Sequence, residues 1–207
     1  VWDRSVGLER LSVSVALLLI GWGIGSFGIW DPWELGVAEA ARMLDQPISA
    51  TSAAIAAAFE AFGVREWSGR LPGVVAAGLS CMLAFALVRR FHGPAAAVIA
   101  VAVLVSTPMF LLDARLMMGA SLAVFAQTWT GAAALHTFFS AQRGARLVAT
   151  YLLLAFGILA STLTSGVLLG PLPPLLAIGA WALLSEDRGR TNRVGRWLFP
   201  TVAAILT

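Results

Sequence analysis

With 207 residues, 59% of them hydrophobic and only 12% charged, and a mean hydropathy of +0.85, the chain has too little polar surface to cover a soluble domain. Its net charge of +3 rests on 14 basic residues, all arginine, which cluster between apolar runs as a membrane topology requires and as nucleic-acid binding does not. Cys81 is the only cysteine and sits in an apolar run, which excludes an intramolecular disulfide and reads as a small core thiol.

Taken in chain order, the uncharged stretches predict spanning helices over about 11–29, 71–88, 94–112, 117–139, 147–163 and 166–184, with a seventh starting near 197, since about 20 apolar residues cross a bilayer. The last long run is divided at "STLTSG", residues 161–166, where hydroxyls and a glycine interrupt the aliphatic pattern. The chain opens on Val1 and closes inside an apolar run, so it is expected to be the N-terminal part of a longer protein. Gly21, Gly23, Gly25 and Gly28 of the first span read as small-residue helix packing. Between 31 and 63 the pattern is helical but less apolar. "WELGVAEAARML" alternates Leu35, Ala38, Ala41 and Met43 with Glu34, Glu39 and Arg42, and "SAAIAAAFEAF" is an alanine-rich helix former. The expected fold is all-α, a polytopic transmembrane helix bundle with two short juxtamembrane helices in the first outer loop.

Orientation follows from the arginines. With the N-terminus cytoplasmic, ten of the 14 fall on the cytoplasmic side, whereas Arg42, Arg65, Arg70 and Arg115 share the other side with seven of the 11 acidic residues. Asp31, Glu34 and Glu39 therefore face the non-cytoplasmic side, at the edge of the membrane.

The stretches "DPWELGVAEAAR", "AFGVREWSGRLPGVVAAGLSCMLAFALVRRFHG", "TPMFLLDARLMMGASLAVF" and "LASTLTSGVLLGPLPPLL" together resemble, in order, the GT-C membrane glycosyltransferases of the branch holding protein O-mannosyltransferases and lipid A aminoarabinose transferases. The resemblance implies a bacterial inner-membrane enzyme that transfers a sugar from a polyprenyl-phosphate carrier to a lipid or protein acceptor on the non-cytoplasmic face. It also implies a working acidic residue at the start of the first loop helix. Such a carboxylate either deprotonates an acceptor hydroxyl or holds a divalent cation against the carrier phosphate. Several positions depart from the family pattern. Trp33 stands in place of the first acid of a pair, Gly36 and Val37 replace a basic residue and a tyrosine, Pro47 replaces a lysine, Ala120 and Ser121 stand where an aspartate is common, and Ser165 where a lysine is.

Asp31 and Glu34 are the candidate base and cation ligand, with helix capping as the alternative, because Asp31 precedes Pro32 at a helix start. Arg70 and Arg115 are the candidates for the carrier phosphate, which a guanidinium grips with two parallel bonds; the alternative is pairing with Glu66 and Asp113. Glu39 and Arg42 are spaced for a surface ion pair. His92 and His136 lack ligand-like company, so no histidine metal site is expected. A catalytically silent GT-C-like scaffold or subunit is the competing function, because it accounts for the replaced signature positions. A transporter would carry ionisable residues at mid-membrane, and these spans have almost none.

Overall fold

The computed structural model describes residues 4–29, 33–43, 49–139 and 144–184. The sequence readings at Asp31, at Pro47 and of a seventh span near 197 fall outside these residues. Among those described, every regular element is a helix, nine in all: α1 Arg4–Gly21, α2 Trp33–Met43, α3 Ala50–Phe62, α4 Glu66–His92, α5 Pro94–Ser106, α6 Pro108–Arg115, α7 Ala120–Phe139, α8 Ala145–Leu169 and α9 Leu172–Leu184. Length and apolar character mark α4 and α8 as helices able to cross a membrane, while α5 and α6 have the combined length and apolar character of a span but are bent by 67° at their junction, the form of a broken span or of a re-entrant loop. This is an integral membrane protein.

The described residues up to 125 form one compact unit. Ala16 and Ile20 of α1, Ala77 and Cys81 of α4, Val101 and Val105 of α5, and Phe110 and Ala114 of α6 make its main core. Helix α1 ends at Gly21, although the apolar run continues to Trp30. Gly23 adopts φ +74°, a left-handed conformation that ends a helix, and Ser26 closes a turn on its carbonyl. A Cβ on Gly21 or Gly28 would meet nothing within 4 Å. Gly23 thus ends the helix, Gly21 and Gly28 leave open space, and Gly25 alone of the four comes within packing distance of another segment, 3.5 Å from Trp67 Cβ; the expected span over 11–29 stops short.

Two further boundaries follow from local chemistry. Gly93, at φ +86°, receives the end of α4 and precedes Pro94 at the first turn of α5. The stretch expected to be a single span over 94–112 bends at Thr107, because Pro108 disfavours helical geometry in the residue before it; Thr107 has φ −74° and ψ 112°.

Helices α2 and α3 pack on each other through Ala38, Ala41, Ile55 and Phe59. Ser49 caps α3 by accepting from the Ser52 amide at 3.1 Å. The buried face of α2 is Glu34, Ala38 and Ala41, at the i, i+4, i+7 spacing of one helical stripe, whereas Leu35 and Met43 are exposed. Glu34 thus faces inward. The Glu39–Arg42 ion pair expected from spacing is not formed among the described residues, where the ion pairs are Arg70–Glu34 and Arg89–Glu9.

The described residues from 126 onward form a second compact unit. Its core gathers Ala134, Leu154, Leu175 and Ile178 from α7, α8 and α9. Thr130 bonds to Ser161, and Trp129 donates to the Leu153 carbonyl at 3.0 Å, the interhelical polar contacts that hold helices together where both sides are apolar. The backbone leaves helical geometry at Gly166, φ 73° and ψ 172°, within the stretch where the sequence suggested a break.

Glycine substitutions test this packing. Gly157→Val places a Cβ 2.8 Å from Trp129 and 3.1 Å from the Thr130 backbone, and is expected to lower stability by about 1–3 kcal/mol through overpacking. Gly36→Ala, whose Cβ meets nothing, is expected to raise it by about 0.5–1 kcal/mol through helix propensity. Thermal melts in nanodiscs check both.

Candidate functional site

The polar centre of the first unit lies where α4 begins. Its first turn is built on Ser68, whose Oγ accepts from the Arg65 amide at 3.1 Å and lies 2.7 Å from the Gly63 carbonyl. One turn on, Arg70 is completely buried, and all five of its N–H groups are used. Nε donates to Glu34 Oε1 at 3.0 Å and Nη2 to Glu34 Oε2 at 2.7 Å, the two-bonded fork that guanidinium and carboxylate form best. Nη1 donates to the carbonyls of Ile24 and Phe27 at 2.9 and 2.8 Å, and Nη2 also reaches the Gly28 carbonyl at 2.8 Å. The Phe27 ring lies 3.9 Å from the guanidinium carbon, a cation–π contact.

Glu34 is likewise fully buried. Its Oε1 accepts a further bond, from the Met117 amide at 3.0 Å. One guanidinium and one carboxylate thus join four pieces of chain: the irregular segment after α1, the first turn of α2, the start of α4 and the linker between α6 and α7. Close approach makes this possible. A Cβ on Gly69 would lie 2.5 Å from Met117 Sδ, and one on Gly73 3.1 Å from the Ala114 carbonyl oxygen. Gly119, at φ +80°, would bring a Cβ 2.1 Å from Thr51 Oγ1.

Arg115 ends α6 and donates through Nη2 to the carbonyl of Leu19, near the C-terminus of α1. Its Nε is buried and has no partner among the described residues, and the same holds for Ser121 Oγ. Asp113 does not pair with it there.

Of the four residues singled out from sequence, the structure brings Glu34 and Arg70 into direct contact and places Arg115 two residues before the Met117 amide that Glu34 holds. Asp31 lies outside the described residues. The roles of Met117, whose contribution is a backbone N–H, and of the carbonyls of Ile24, Phe27 and Gly28 had no side-chain signal to betray them. The i, i+4 spacing of Gly69 and Gly73 around Arg70 was the one visible hint of a close approach. Among the described residues no three His, Cys, Asp or Glu side chains gather.

A comparison with protein families matches residues 45–207 to the dolichyl-phosphate-mannose-protein mannosyltransferases. The chain belongs to this family. It is therefore a member of a family of membrane glycosyltransferases of the GT-C type. The matched stretch contains Arg70, Gly73, Arg115 and Met117 and starts after Asp31 and Glu34. Neither curated proteins nor solved structures gave a match.

The buried pair makes a direct prediction about stability. Glu34→Gln keeps the side-chain shape but leaves the Arg70 charge buried without its counterion, at an expected cost of roughly 3–5 kcal/mol. Glu39→Gln, at an exposed carboxylate on the same helix, is expected to leave the melting temperature unchanged. Paired thermal melts in nanodiscs of fixed lipid composition measure the contrast.

Proposed function

We propose that this protein transfers a sugar from a polyprenyl-phosphate carrier to a lipid or protein acceptor on the non-cytoplasmic face of a bacterial inner membrane, with its N-terminus in the cytoplasm. The observation that carries this reading is the family match over residues 45–207. Two further features support it. The arginines divide ten to four between the two sides, and Arg115 keeps a buried N–H without a partner among the described residues.

In this reading Arg115 holds the carrier phosphate as the bond between the sugar's anomeric carbon and the phosphate oxygen breaks. Its charge stabilises the phosphate that leaves on the lipid. A carboxylate at the same face accepts the proton of the attacking acceptor hydroxyl. Of the two candidates we assign this part to Asp31, because Glu34 already accepts three bonds, two of them from a cation. A divalent cation held by Glu34 would likewise have to displace Arg70, and a phosphate on Arg70 would have to displace Glu34 or a carbonyl. Glu34 and Arg70 are therefore assigned a supporting part.

The same engagement favours a second reading, a catalytically silent scaffold. Glu34 keeps its position in the family pattern yet is fully committed to Arg70, while Trp33, Gly36, Val37 and Ser165 replace other expected residues.

Transfer of labelled sugar from polyprenyl-phosphate donors, assayed with the purified full-length protein in nanodiscs, separates the two. Asp31→Asn is expected to reduce turnover by about 100-fold or more, the scale of a lost general base, with an unchanged melting temperature. Wild-type protein that transfers nothing from any donor while binding lipid partners normally would support the scaffold instead.

A further inference from the structure

We infer that Glu34 and Arg70 are positioning residues for Arg115, acting on it through the Met117 amide. The inference rests on the reading of Arg115 as the phosphate partner. Helix α6 ends at Arg115: Leu116 takes extended geometry, φ −108° and ψ 152°, so the Met117 N–H needs a partner outside the helix. That partner is Glu34 Oε1 at 3.0 Å.

The carboxylate cannot drift, because both its oxygens are fixed by Arg70, and Arg70 is fixed in turn by three carbonyls. Leu116 and Met117 are themselves buried, 7% and 2% exposed. The segment is also pressed onto α4, where Gly73 leaves room for the Ala114 carbonyl and Gly69 for the Met117 side chain. Arg115 therefore sits between two clamped points, Ala114 and Met117. Its Nη2 donates to the Leu19 carbonyl, whereas its Nε–H is buried and has no partner among the described residues, so the guanidinium keeps a donor that the chain does not consume.

The electrostatics agree. An unpaired carboxylate on this segment would attract Arg115 and repel a phosphate. Paired with Arg70, Glu34 presents a neutral unit that still accepts the Met117 bond. The carboxylate thus orders the linker without competing for the guanidinium that meets the lipid.

The test measures the affinity of the full-length protein in nanodiscs for a polyprenyl monophosphate. Arg115→Gln is expected to weaken binding roughly tenfold or more, the scale of one charge-assisted hydrogen bond. Glu34→Gln is expected to weaken it comparably in the wild type but to have no further effect in an Arg115→Gln background, because its influence passes through Arg115. Gly73→Ala leaves the ion pair intact and moves the Ala114–Met117 segment by a few tenths of an ångström; it is expected to weaken binding in the same Arg115-dependent way, and it serves if Glu34→Gln does not fold. If Arg115→Gln weakens binding while the folded Glu34 and Gly73 variants bind normally, or weaken it equally in both backgrounds, positioning is overturned and the phosphate reading stands. If Arg115→Gln itself binds normally, the phosphate reading falls, and this inference with it.

Discussion

Five N–H groups on one buried guanidinium, and the five oxygens that meet them, are what the first half of this protein is organised around. Arg70 has no solvent to fall back on. A cation removed from water is tolerated only when its charge and each of its donors are met, and here a carboxylate and three backbone carbonyls do so. The pair is a specifying device more than a stabilising one. A well-packed apolar substitute can match a buried ion pair in stability, but it cannot satisfy the open carbonyls of Ile24, Phe27 and Gly28 or the Met117 amide.

Those open groups exist because of glycine. Once Gly23 ends α1 early, a stretch of apolar but non-helical chain follows, and non-helical backbone at membrane depth persists only where protein satisfies its polar groups. Arg70 supplies the donors. Its position one turn into α4, at the start of a long apolar helix, puts a cation where the irregular segment needs one. The Leu19 carbonyl, exposed by the same helix end, is met by Arg115 in the same manner. Two arginines that both read from sequence as phosphate ligands, Arg70 slightly ahead of Arg115, differ in how much of their bonding capacity the chain consumes: all of it for Arg70, and less for Arg115, whose Nε keeps no partner among the described residues.

Much of the architecture was legible in the residues. Apolar run length and low charge specified an all-helical membrane protein, and the alanine-rich stretch, together with the patterned stretch before it, specified α3 and α2. The order of the family-like stretches anticipated the family that the comparison found. What was not legible depended on partners far away in sequence. In the sequence Glu34 alternates with the apolar positions of α2 like Glu39 and Arg42; periodicity alone does not reveal that an arginine 36 residues later buries it. The early end of α1 was hidden because apolar residues continue through it and glycine is also common in helix packing. The bend at Thr107 was available in principle from Pro108, but hydropathy averages over it. The Met117 contact is made by a backbone amide, which every residue but proline possesses and no sequence pattern marks.

Glu34, held by Arg70, ties the linker after α6 to the rest of the unit, and the Met117 amide reports on that tie directly. Hydrogen–deuterium exchange of the full-length protein in nanodiscs, resolved at this amide, compares the wild type with Arg70→Lys, in which an ammonium with three donors replaces the five-donor fork. Exchange is expected to be slow in the wild type and faster by about an order of magnitude or more in the variant, the size of effect expected when a buried hydrogen bond loses its fixed acceptor. Rapid exchange of the Met117 amide in the wild type, or equal protection in both proteins, would contradict that tie.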